Sequence, residues 1–320
     1  MLFRSQEARQ GRFHAAIATV LEGQMQRPGV AVRLAGHFMA IQAKDAAQVA
    51  YYRAALEEWR LGERARALRL LESAQQLLEQ VDRGDRRHGE VALLHAKLLH
   101  AEGDYEGARK TAEYAASLAR EQHWKDLLSE ALTELADTTR HRGSPSLALE
   151  LFQEARALHA STGDRQGLAI CLFGLGELAS QFGELGQALR LLQQALAIYE
   201  ELGLKRKTAD TLRELADTAR RSGRLDLAEE WVNRALDLYR TPTVPSGLAA
   251  STNIQAAIAR QQGRLFQAES LAMRSLSMFE ALDSRQQVFP LCNLGLILIQ
   301  LGRASEARTN VEREIGRAHV

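Results

Sequence analysis

Glycine recurs along this 320-residue chain at a nearly constant interval, and this regularity constrains the fold more than any other feature of the sequence. The intervals are 41, 40, 40, 40, 40 and 39 residues, between Gly62, Gly103, Gly143, Gly183, Gly223, Gly263 and Gly302. A period in this range is typical of stacked supersecondary units, each of which contacts mainly its neighbours. The sequence therefore predicts a solenoid, an architecture that favours binding over catalysis.

Small residues keep a fixed phase with these glycines. An alanine follows each glycine by five residues, and another small residue precedes each by seven. A third small residue follows the first six glycines by twelve; around Gly183 the three positions are Gly176, Ala188 and Ala195. Small side chains let two helix backbones approach closely, and the glycine suits the left-handed backbone that ends a helix. The pattern predicts helix hairpins that turn at each glycine, and no strands.

The repeated unit resembles the tetratricopeptide repeat, most clearly from Leu175 through Gly183 to Tyr199. Two features depart from that family: the period is about 40 residues instead of 34, and no proline closes the second helix. The longer variant is similar to the C-terminal repeat region of bacterial signalling ATPases, transcription activators and Ser/Thr kinases. The resemblance implies an all-α, right-handed superhelical solenoid of tetratricopeptide-like helix hairpins.

The phase of the repeat also predicts the domain organisation. Residues 47–313 form an array of about seven units, and the 40-residue period is lost on both sides of this array. We expect residues 1–46 to be an irregular helical segment, comprising the end of an upstream unit and a connector. Residues 314–320 break the small-residue phase and are expected to be a non-native tail. Because neither end shows a polar cap, we expect the chain to be an excerpt of a longer protein.

Composition argues against several classes of partner. Lys and Arg number 41 against 40 Asp and Glu, so a net charge of +1 gives no general attraction to nucleic acid or to an anionic membrane. No apolar run reaches the length of a membrane span, and the N-terminus lacks a secretion signal. Cys171 and Cys292 lie three repeats apart, and we expect two free, buried thiols. These features favour a cytoplasmic protein.

Motifs for catalysis or cofactor binding give no support to an enzyme. The run from Gly174 to Ala179 reads G-x-G-x-x-A, but it lies inside a predicted helix, so we interpret it as a packing feature and not a dinucleotide site. His95 and His100 are five residues apart and therefore on different helix faces, unlike the i, i+4 pair of a zinc site. We predict no catalytic residues, no cofactor and no metal.

In the resembling family, ligands lie along a concave surface lined by the first helix of each hairpin. Projecting residues would fall 13, 10, 6 and 3 positions before each turn glycine. From these positions we select the candidate partner-binding surface: Lys97, His100, Asp137, Arg140, Phe173, Glu177, Arg213, Asp217, Arg220, Asn253 and Arg260. The last unit instead presents Phe289 and other apolar residues there, which could equally pack against a neighbouring segment.

Three arginines of this surface share one register position, and two interpretations of them stay open. Arg140, Arg220 and Arg260 each lie three residues before a turn glycine, so they could form a row that grips carboxylates or phosphates. Alternatively, Asp137 with Arg140 and Asp217 with Arg220 are i, i+3 pairs, each worth only a few tenths of a kcal/mol.

The sequence favours a protein- or peptide-binding scaffold, the regulatory repeat region of a larger bacterial signal-transduction protein. The expected partners are a protein or peptide in the concave groove and an intramolecular effector domain outside this chain. The alternative is a receptor for a small ligand or signalling peptide that controls the absent effector. A third possibility is a self-assembling module that uses its apolar ends.

Overall fold

A computed structural model of the protein describes the backbone of residues 2–79, 81–141, 143–241, 243–282 and 284–310. Side chains are described from residue 9 onward within those ranges. All regular secondary structure in the described part of the chain is helical, which confirms the predicted all-α class.

Two compact units divide the chain, residues 1–167 and residues 168–320. The helices of the first unit are α1 (Leu2–Glu22), α2 (Val30–Ala40), α3 (Lys44–Leu61), α4 (Arg64–Leu78), α5 (Arg86–Glu102), α6 (Tyr105–Glu121), α7 (Lys125–His141) and α8 (Pro145–Thr162). Those of the second are α9 (Arg165–Gln181), whose first three residues belong to the first unit, α10 (Leu185–Glu201), α11 (Lys205–Arg221), α12 (Leu225–Arg240), α13 (Pro245–Gln261), α14 (Leu265–Ala281) and α15 (Val288–Gln300). A short 3₁₀ turn, Arg285–Gln287, precedes α15. Consecutive helices pack as hairpins, among them α5 with α6 and α13 with α14, so each unit is a stack of hairpins.

The seven periodic glycines end the first helix of each hairpin, as predicted. All of them have positive φ angles, between 76° and 84°. At Gly103 the N–H of the glycine donates to the carbonyl of His100 at 3.0 Å, and the next residue, Asp104, donates to the carbonyl of Leu99 at 3.0 Å. These two bonds form a Schellman motif, which satisfies carbonyls at the helix end. Asp104 then caps α6, because its carboxylate accepts the N–H of Gly107.

The small residues in phase with the glycines lie where the two helices of a hairpin meet. Ala188 and Ala195 of α10 are completely buried, and so are their counterparts Ala228 and Ala235 of α12. Ser275 takes the same position in α14, where its buried hydroxyl donates to the carbonyl of Ala249 at 2.8 Å. The sequence periodicity therefore marks the hairpin interface itself, where backbones approach closely.

The G-x-G-x-x-A run lies in the interior of α9, with no strand before it. A Cβ atom added at Gly176 would lie 2.7 Å from Cγ and 2.9 Å from Cδ2 of the buried Leu192 on α10. Carbon atoms in contact are ordinarily about 3.5–4.0 Å apart, so only glycine fits here without moving α10. The run is a packing feature, as the sequence predicted.

A second periodic turn, half a repeat from the first, was not predicted. Gly163 and Gly203 follow the second helices α8 and α10 and have φ angles of 76° and 67°. The equivalent turn after α6 places the exposed His123 at φ 60°. A left-handed backbone strains any residue that has a Cβ atom, so His123 is a strained residue in this turn, where glycine would be favoured.

The N-terminal region forms regular helices that share a core with the first hairpin. Leu21 of α1, Leu34 and Phe38 of α2 and Ala47 of α3 belong to one buried cluster. The predicted domain boundary between residues 46 and 47 falls inside the first turn of α3. The predicted non-native tail, residues 314–320, lies outside the described residues. The domain limits therefore stay predictions.

Two further sequence expectations concern apolar segments and thiols. Within the described ranges, every helix falls short of the combined length and apolarity that a bilayer crossing requires. Neither cysteine forms a disulfide bond; Cys171 is buried in α9, whereas Cys292 is exposed on α15. The expectation of two buried thiols was wrong for Cys292, because that face of α15, which also carries Leu296 and Ile299, is exposed.

Candidate functional site

The predicted partner-binding residues all lie on the first helix of a hairpin, and all are half-buried. In the first unit these residues are Lys97 and His100 on α5, and Asp137 and Arg140 on α7. In the second unit they are Phe173 and Glu177 on α9, Arg213, Asp217 and Arg220 on α11, and Asn253 and Arg260 on α13. The structure groups part of this set into two separate sites, one in each unit.

A groove in the second unit, with a volume of about 400 Å³, brings together Arg213, Asp217 and Asn253. Its walls are built from α11 and α13, and residues from α12 and from the start of α15 complete it. The lining also includes side chains outside the eleven predicted residues, among them Tyr239, Ser246, Gln286 and Phe289. We call this cavity the second-unit groove.

Most charges at the second-unit groove are already paired within the protein. Arg213 Nη1 lies 2.7 Å from Glu214 Oε1, and the hydroxyl of Tyr239 donates to Asp210 Oδ1 at 2.6 Å. Burial lowers the pKa of Arg213, but the charges of Glu214 and Asp210 and a hydrogen bond with Tyr239 outweigh this effect and raise it. Burial and the Asp210 carboxylate raise the pKa of Tyr239, so this hydroxyl stays protonated. The paired groups fix the shape of the groove.

Tyr239 owes its position to Gly247, at the start of α13. A Cβ atom at Gly247 would lie 2.5 Å from the ring of Tyr239, so the absence of a side chain there makes room for the ring. Tyr239 is completely buried as a result, and its hydroxyl reaches across to Asp210. The wall of the groove is therefore packed against backbone, which leaves the ring little freedom.

Apolar and neutral polar groups form the accessible part of the groove. Phe289, on the first turn of α15, is 61% exposed although it lines the cavity together with Ile254 and Val244. Asn253 and Gln286 add side-chain amides. An amide group both donates and accepts hydrogen bonds, so the groove offers partners for a peptide backbone beside an apolar surface.

The arginines three residues before the turn glycines are not equivalent. Arg220 pairs with Asp217 through Nη2 and Oδ1 at 2.7 Å, so the i, i+3 interpretation describes it. Arg260 instead donates through Nε to the amide oxygen of Asn293 at 3.3 Å. Burial and the neighbouring Arg220 lower the pKa of Arg260, an indication of positive charge that the protein compensates little. Arg140 pairs within the first unit.

Phe173 does not form an open aromatic surface. Its ring packs against two core clusters. One cluster includes Leu172 and Tyr199, and the other includes Leu212. The structure therefore assigns this residue a packing role beside the candidate surface. Glu177, one turn further along α9, is half-buried, and neither residue lines the groove.

A cluster in the first unit brings together His100, Asp137 and Arg140, and adds Glu134 and His141 of α7. His100 Nδ1 lies 2.7 Å from Glu134 Oε1, while His100 Nε2 lies 3.8 Å from Asp137 Oδ2. His141 Nε2 lies 3.7 Å from Asp137 Oδ1, and Arg140 Nη2 contacts the same oxygen at 2.5 Å. Lys97 lies apart from these contacts and pairs with Glu130 at 2.9 Å. We call this group the histidine cluster.

Aromatic stacking holds the two imidazoles of the histidine cluster in place. The ring of Tyr105, at the start of α6, stacks on His141 with a centroid distance of 5.1 Å and an interplanar angle of 13°. It also meets His100 edge to face at 5.4 Å. The concave-surface positions omit Tyr105 and His141, because one lies just after the turn glycine and the other two residues before the next.

The electrostatics of the histidine cluster differ between its members. Burial lowers the pKa of His100, but the hydrogen bond to Glu134 and the two nearby carboxylates more than offset this and raise it. Burial lowers the pKa of His141, and Arg140 and His100 act in the same direction. Burial raises the pKa of Asp137, yet Arg140 brings its net value below the ordinary range. At neutral pH the cluster thus contains an ionised carboxylate beside two imidazoles.

Comparison with known protein families identifies the repeat. The sequence profile of the tetratricopeptide repeat matches residues 127–201, which span α7 to α10. These residues are tetratricopeptide repeats. The same turn glycines and buried small residues continue on both sides of the matched segment, so the predicted recognition is confirmed. A search among curated proteins finds no significant match.

Several solved structures share the fold of this chain. BtubC (BKLC) from P. vanneervenii is 22% identical, with a TM-score of 0.56 over 69% of this chain and 91% of that one. A Rap protein complexed with competence and sporulation factor is 15% identical, with a TM-score of 0.60 over 85% and 81% of the two chains. A signal-transduction ATPase with a tetratricopeptide repeat sensor, from Pyrococcus horikoshii, is 16% identical, with a TM-score of 0.64; the match covers 96% of this chain and 47% of the ATPase. At these identities the likeness shows the fold.

Proposed function

We propose that this tetratricopeptide repeat protein is a scaffold that binds a protein segment or peptide in extended conformation in the second-unit groove. The observation that carries the proposal is the combination, in one groove, of an exposed aromatic ring, free apolar surface and side-chain amides. Apart from the exposed Arg206, the charged groups Asp210, Arg213 and Asp217 of the groove are paired within the protein, so a ligand does not need to neutralise them.

The chemistry of the groove matches an uncharged stretch of peptide. Gln286 can donate to a peptide carbonyl and accept from a peptide N–H, which is the pairing that an extended backbone requires. The amide of Asn253 can donate as well, and its Oδ1, which accepts from Asn293 Nδ2 at 3.3 Å, has a second lone pair for a peptide N–H. An apolar ligand side chain placed between Phe289 and Ile254 leaves water, and its burial contributes about 1.5–3 kcal/mol. Side-chain fit would supply specificity, while the backbone contacts would supply register.

Arg260 suggests where a negatively charged group of the ligand would bind. It shares α13 with Asn253 and has the amide oxygen of Asn293 as its partner at 3.3 Å. A carboxylate that binds a guanidinium gains charge-assisted hydrogen bonds, roughly twice as strong as neutral ones. We therefore expect peptides with an apolar residue and a nearby acidic residue to bind best.

The proposed setting is the regulatory region of a larger bacterial signal-transduction protein in the cytoplasm, where the repeats would also contact an effector domain. Support comes from the sequence resemblance and from the Pyrococcus ATPase, in which a fold of this kind is a sensor. The Rap protein supports a peptide ligand, because its structure holds competence and sporulation factor.

The second candidate function is a receptor for a small ligand. A groove of about 400 Å³ lies within the range of small-molecule sites, which is about 300–1,000 Å³. Thermal-shift screens against metabolites and against peptides separate the two functions, since only the true ligand class raises the melting temperature.

Selection from a displayed peptide library tests the proposal without knowledge of the natural partner. The key variant is Phe289→Asp, which replaces an aromatic ring by a carboxylate. Because the ring is 61% exposed, we expect the substitution to change the free energy of unfolding little. The matched control is Phe266→Asp, on α14, whose ring is 79% exposed and does not line the groove.

We expect selected peptides to bind the wild type and Phe266→Asp alike and to lose at least tenfold in affinity for Phe289→Asp. That factor corresponds to about 1.4 kcal/mol, the lower end of the burial term for one apolar side chain. Selection of no peptide, or equal binding by both variants, would remove the second-unit groove as the binding site.

A further inference from the structure

The histidine cluster of the first unit contains three ligand-type atoms in mutual proximity. One atom each from His100, Asp137 and His141 lie within 4.8 Å of one another, and this is a property of side chains on two helices, α5 and α7. Asp137 and His141 stand in the i, i+4 relation on one helix face, the spacing that directs two side chains to one ion. His100 completes the set from the preceding repeat.

The hydrogen bond of His100 leaves a specific atom available. Its Nδ1 lies 2.7 Å from Glu134 Oε1, and a carboxylate only accepts, so Nδ1 carries the proton. In the neutral ring the lone pair of Nε2 then faces Asp137 Oδ2 at 3.8 Å. A cation between these two acceptor atoms, either a proton or a metal ion, would be attracted to both.

We propose that His100, Asp137 and His141 bind a divalent transition-metal ion. Among such ions, Zn²⁺ fits this set of ligand atoms best. Two imidazoles and one carboxylate are borderline donors that suit Zn²⁺ and its neighbours, and not Ca²⁺ or Mg²⁺. Water would complete a four-coordinate shell.

The geometry requires only small movements. In a tetrahedral shell with bonds of about 2.0 Å, ligand atoms stand about 3.3 Å apart. The present separations are 3.8 Å from Asp137 Oδ2 to His100 Nε2 and 3.7 Å from Asp137 Oδ1 to His141 Nε2, and one ligand atom from each of the three residues lies within 4.8 Å of the others. Rotation of side chains closes gaps of this size without a change of backbone. His141 is exposed, which gives the ion a route from solvent.

Glu134 acts as a positioning residue in this proposal. Its hydrogen bond fixes the tautomer and ring orientation of His100, the arrangement in which a carboxylate supports a metal-bound histidine. Tyr105 adds a stacking contact that orients His141. Loss of such outer partners costs about 10–100-fold in metal affinity.

Arg140 competes with the ion. Its Nη2 lies 2.5 Å from Asp137 Oδ1 and 3.2 Å from His141 Nε2, so the guanidinium contacts two of the three ligands. A metal ion would displace it from them. A single charge at about 5 Å from a divalent ion, in a water-like dielectric, weakens binding by about tenfold. Arg140→Gln should therefore bind the metal about tenfold more tightly than the wild type.

Titration of the purified chain with Zn²⁺, followed by calorimetry, and with Co²⁺, followed by visible absorption, tests the proposal. We expect one ion per chain and a tetrahedral Co²⁺ spectrum. His100→Ala and His141→Ala should each lose roughly 100-fold or more in affinity, a larger effect than that of an outer partner. Glu134→Ala should lose about 10–100-fold and keep the Co²⁺ band shape, with partial rescue by Glu134→Gln. Far-ultraviolet circular dichroism confirms that each variant is folded.

Two controls separate this site from other histidines. His95→Ala removes an imidazole from the same helix outside the cluster, and should bind as the wild type does. The double variant His14→Ala, His37→Ala removes another close pair, whose Nδ1 atoms are 2.8 Å apart. Absence of a bound ion in the wild type, unchanged affinity in both His100→Ala and His141→Ala, or loss of binding in the double variant would each overturn the proposal.

Discussion

Substitution of Gly176 by alanine tests the close approach of helices on which the repeat depends. Alanine favours a helix interior over glycine by about 0.5–1 kcal/mol, so propensity alone predicts a more stable protein. The new Cβ atom, however, would lie 2.7 Å from Cγ of Leu192, about 1 Å inside an ordinary contact. Leu192 is completely buried and has no open space to enter. Overpacking of this kind costs about 1–3 kcal/mol, so we expect a net loss of up to about 2 kcal/mol.

Gly295 provides the matched control, because it occupies the same position relative to its turn glycine. Among the described residues, and apart from its chain neighbours and the backbone of α15, no atom lies within 4 Å of a Cβ added there. Gly295→Ala should therefore stabilise α15 by about 0.5–1 kcal/mol, and the two substitutions should differ by about 1–3 kcal/mol. Native-state hydrogen exchange of amides in α9 and α15 measures both changes without requiring all repeats to unfold together. Stabilisation by Gly176→Ala equal to that by Gly295→Ala would refute the reasoning.

Further predictions concern one turn and one helix cap. His123→Gly should stabilise the first unit by up to about 1 kcal/mol, because it relieves the strain of a left-handed backbone at a residue with a Cβ atom. Gly163→Ala should destabilise the unit by a similar amount, because it introduces that strain. Urea unfolding checks both predictions, since the two changes in unfolding free energy should have opposite signs. Asp85 caps α5, and its hydrogen bond to Arg87 lowers its pKa to about 2. The loss of about 0.5–2 kcal/mol in Asp85→Ala should be constant above about pH 4 and should shrink as the pH falls toward 2, since the wild-type carboxylate is then protonated. A difference in urea midpoints that does not change between pH 7 and pH 2.5 would contradict this.

The fold was predictable because the same packing requirement recurs at equivalent positions of each repeat. Turn glycines such as Gly103, and alanines such as Ala188, each satisfy a steric requirement that recurs with the period, and the structure confirms both. The half-period turn was missed because its residues vary: Gly163 and Gly203 share it with His123. The turn between repeats accepts a residue other than glycine and therefore leaves a weaker sequence signal than the turn inside each hairpin, where the residue is always glycine.

The candidate sites were predictable only in part. Positions counted from the turn glycine place Arg213 and Asn253 at the second-unit groove and His100 in the histidine cluster, because one helix face repeats. Tyr105 is the first residue of α6, the second helix of its hairpin, and Gln286 lies in the 3₁₀ turn before α15; positions counted along the first helices include neither. His141 carries a detectable signal in the sequence, since it follows Asp137 by four residues, a spacing that places the carboxylate and the imidazole on one helix face.

The measurement that bears most directly on the proposed function is hydrogen–deuterium exchange of the chain with and without a selected peptide. Binding in the second-unit groove predicts slower exchange in three segments: the first half of α11, the first half of α13, and the 3₁₀ turn with the start of α15. The outer face of α14, which carries Phe266, should exchange as in the free protein. Protection confined to α14 or to the first unit, with the groove unchanged, would contradict the proposal.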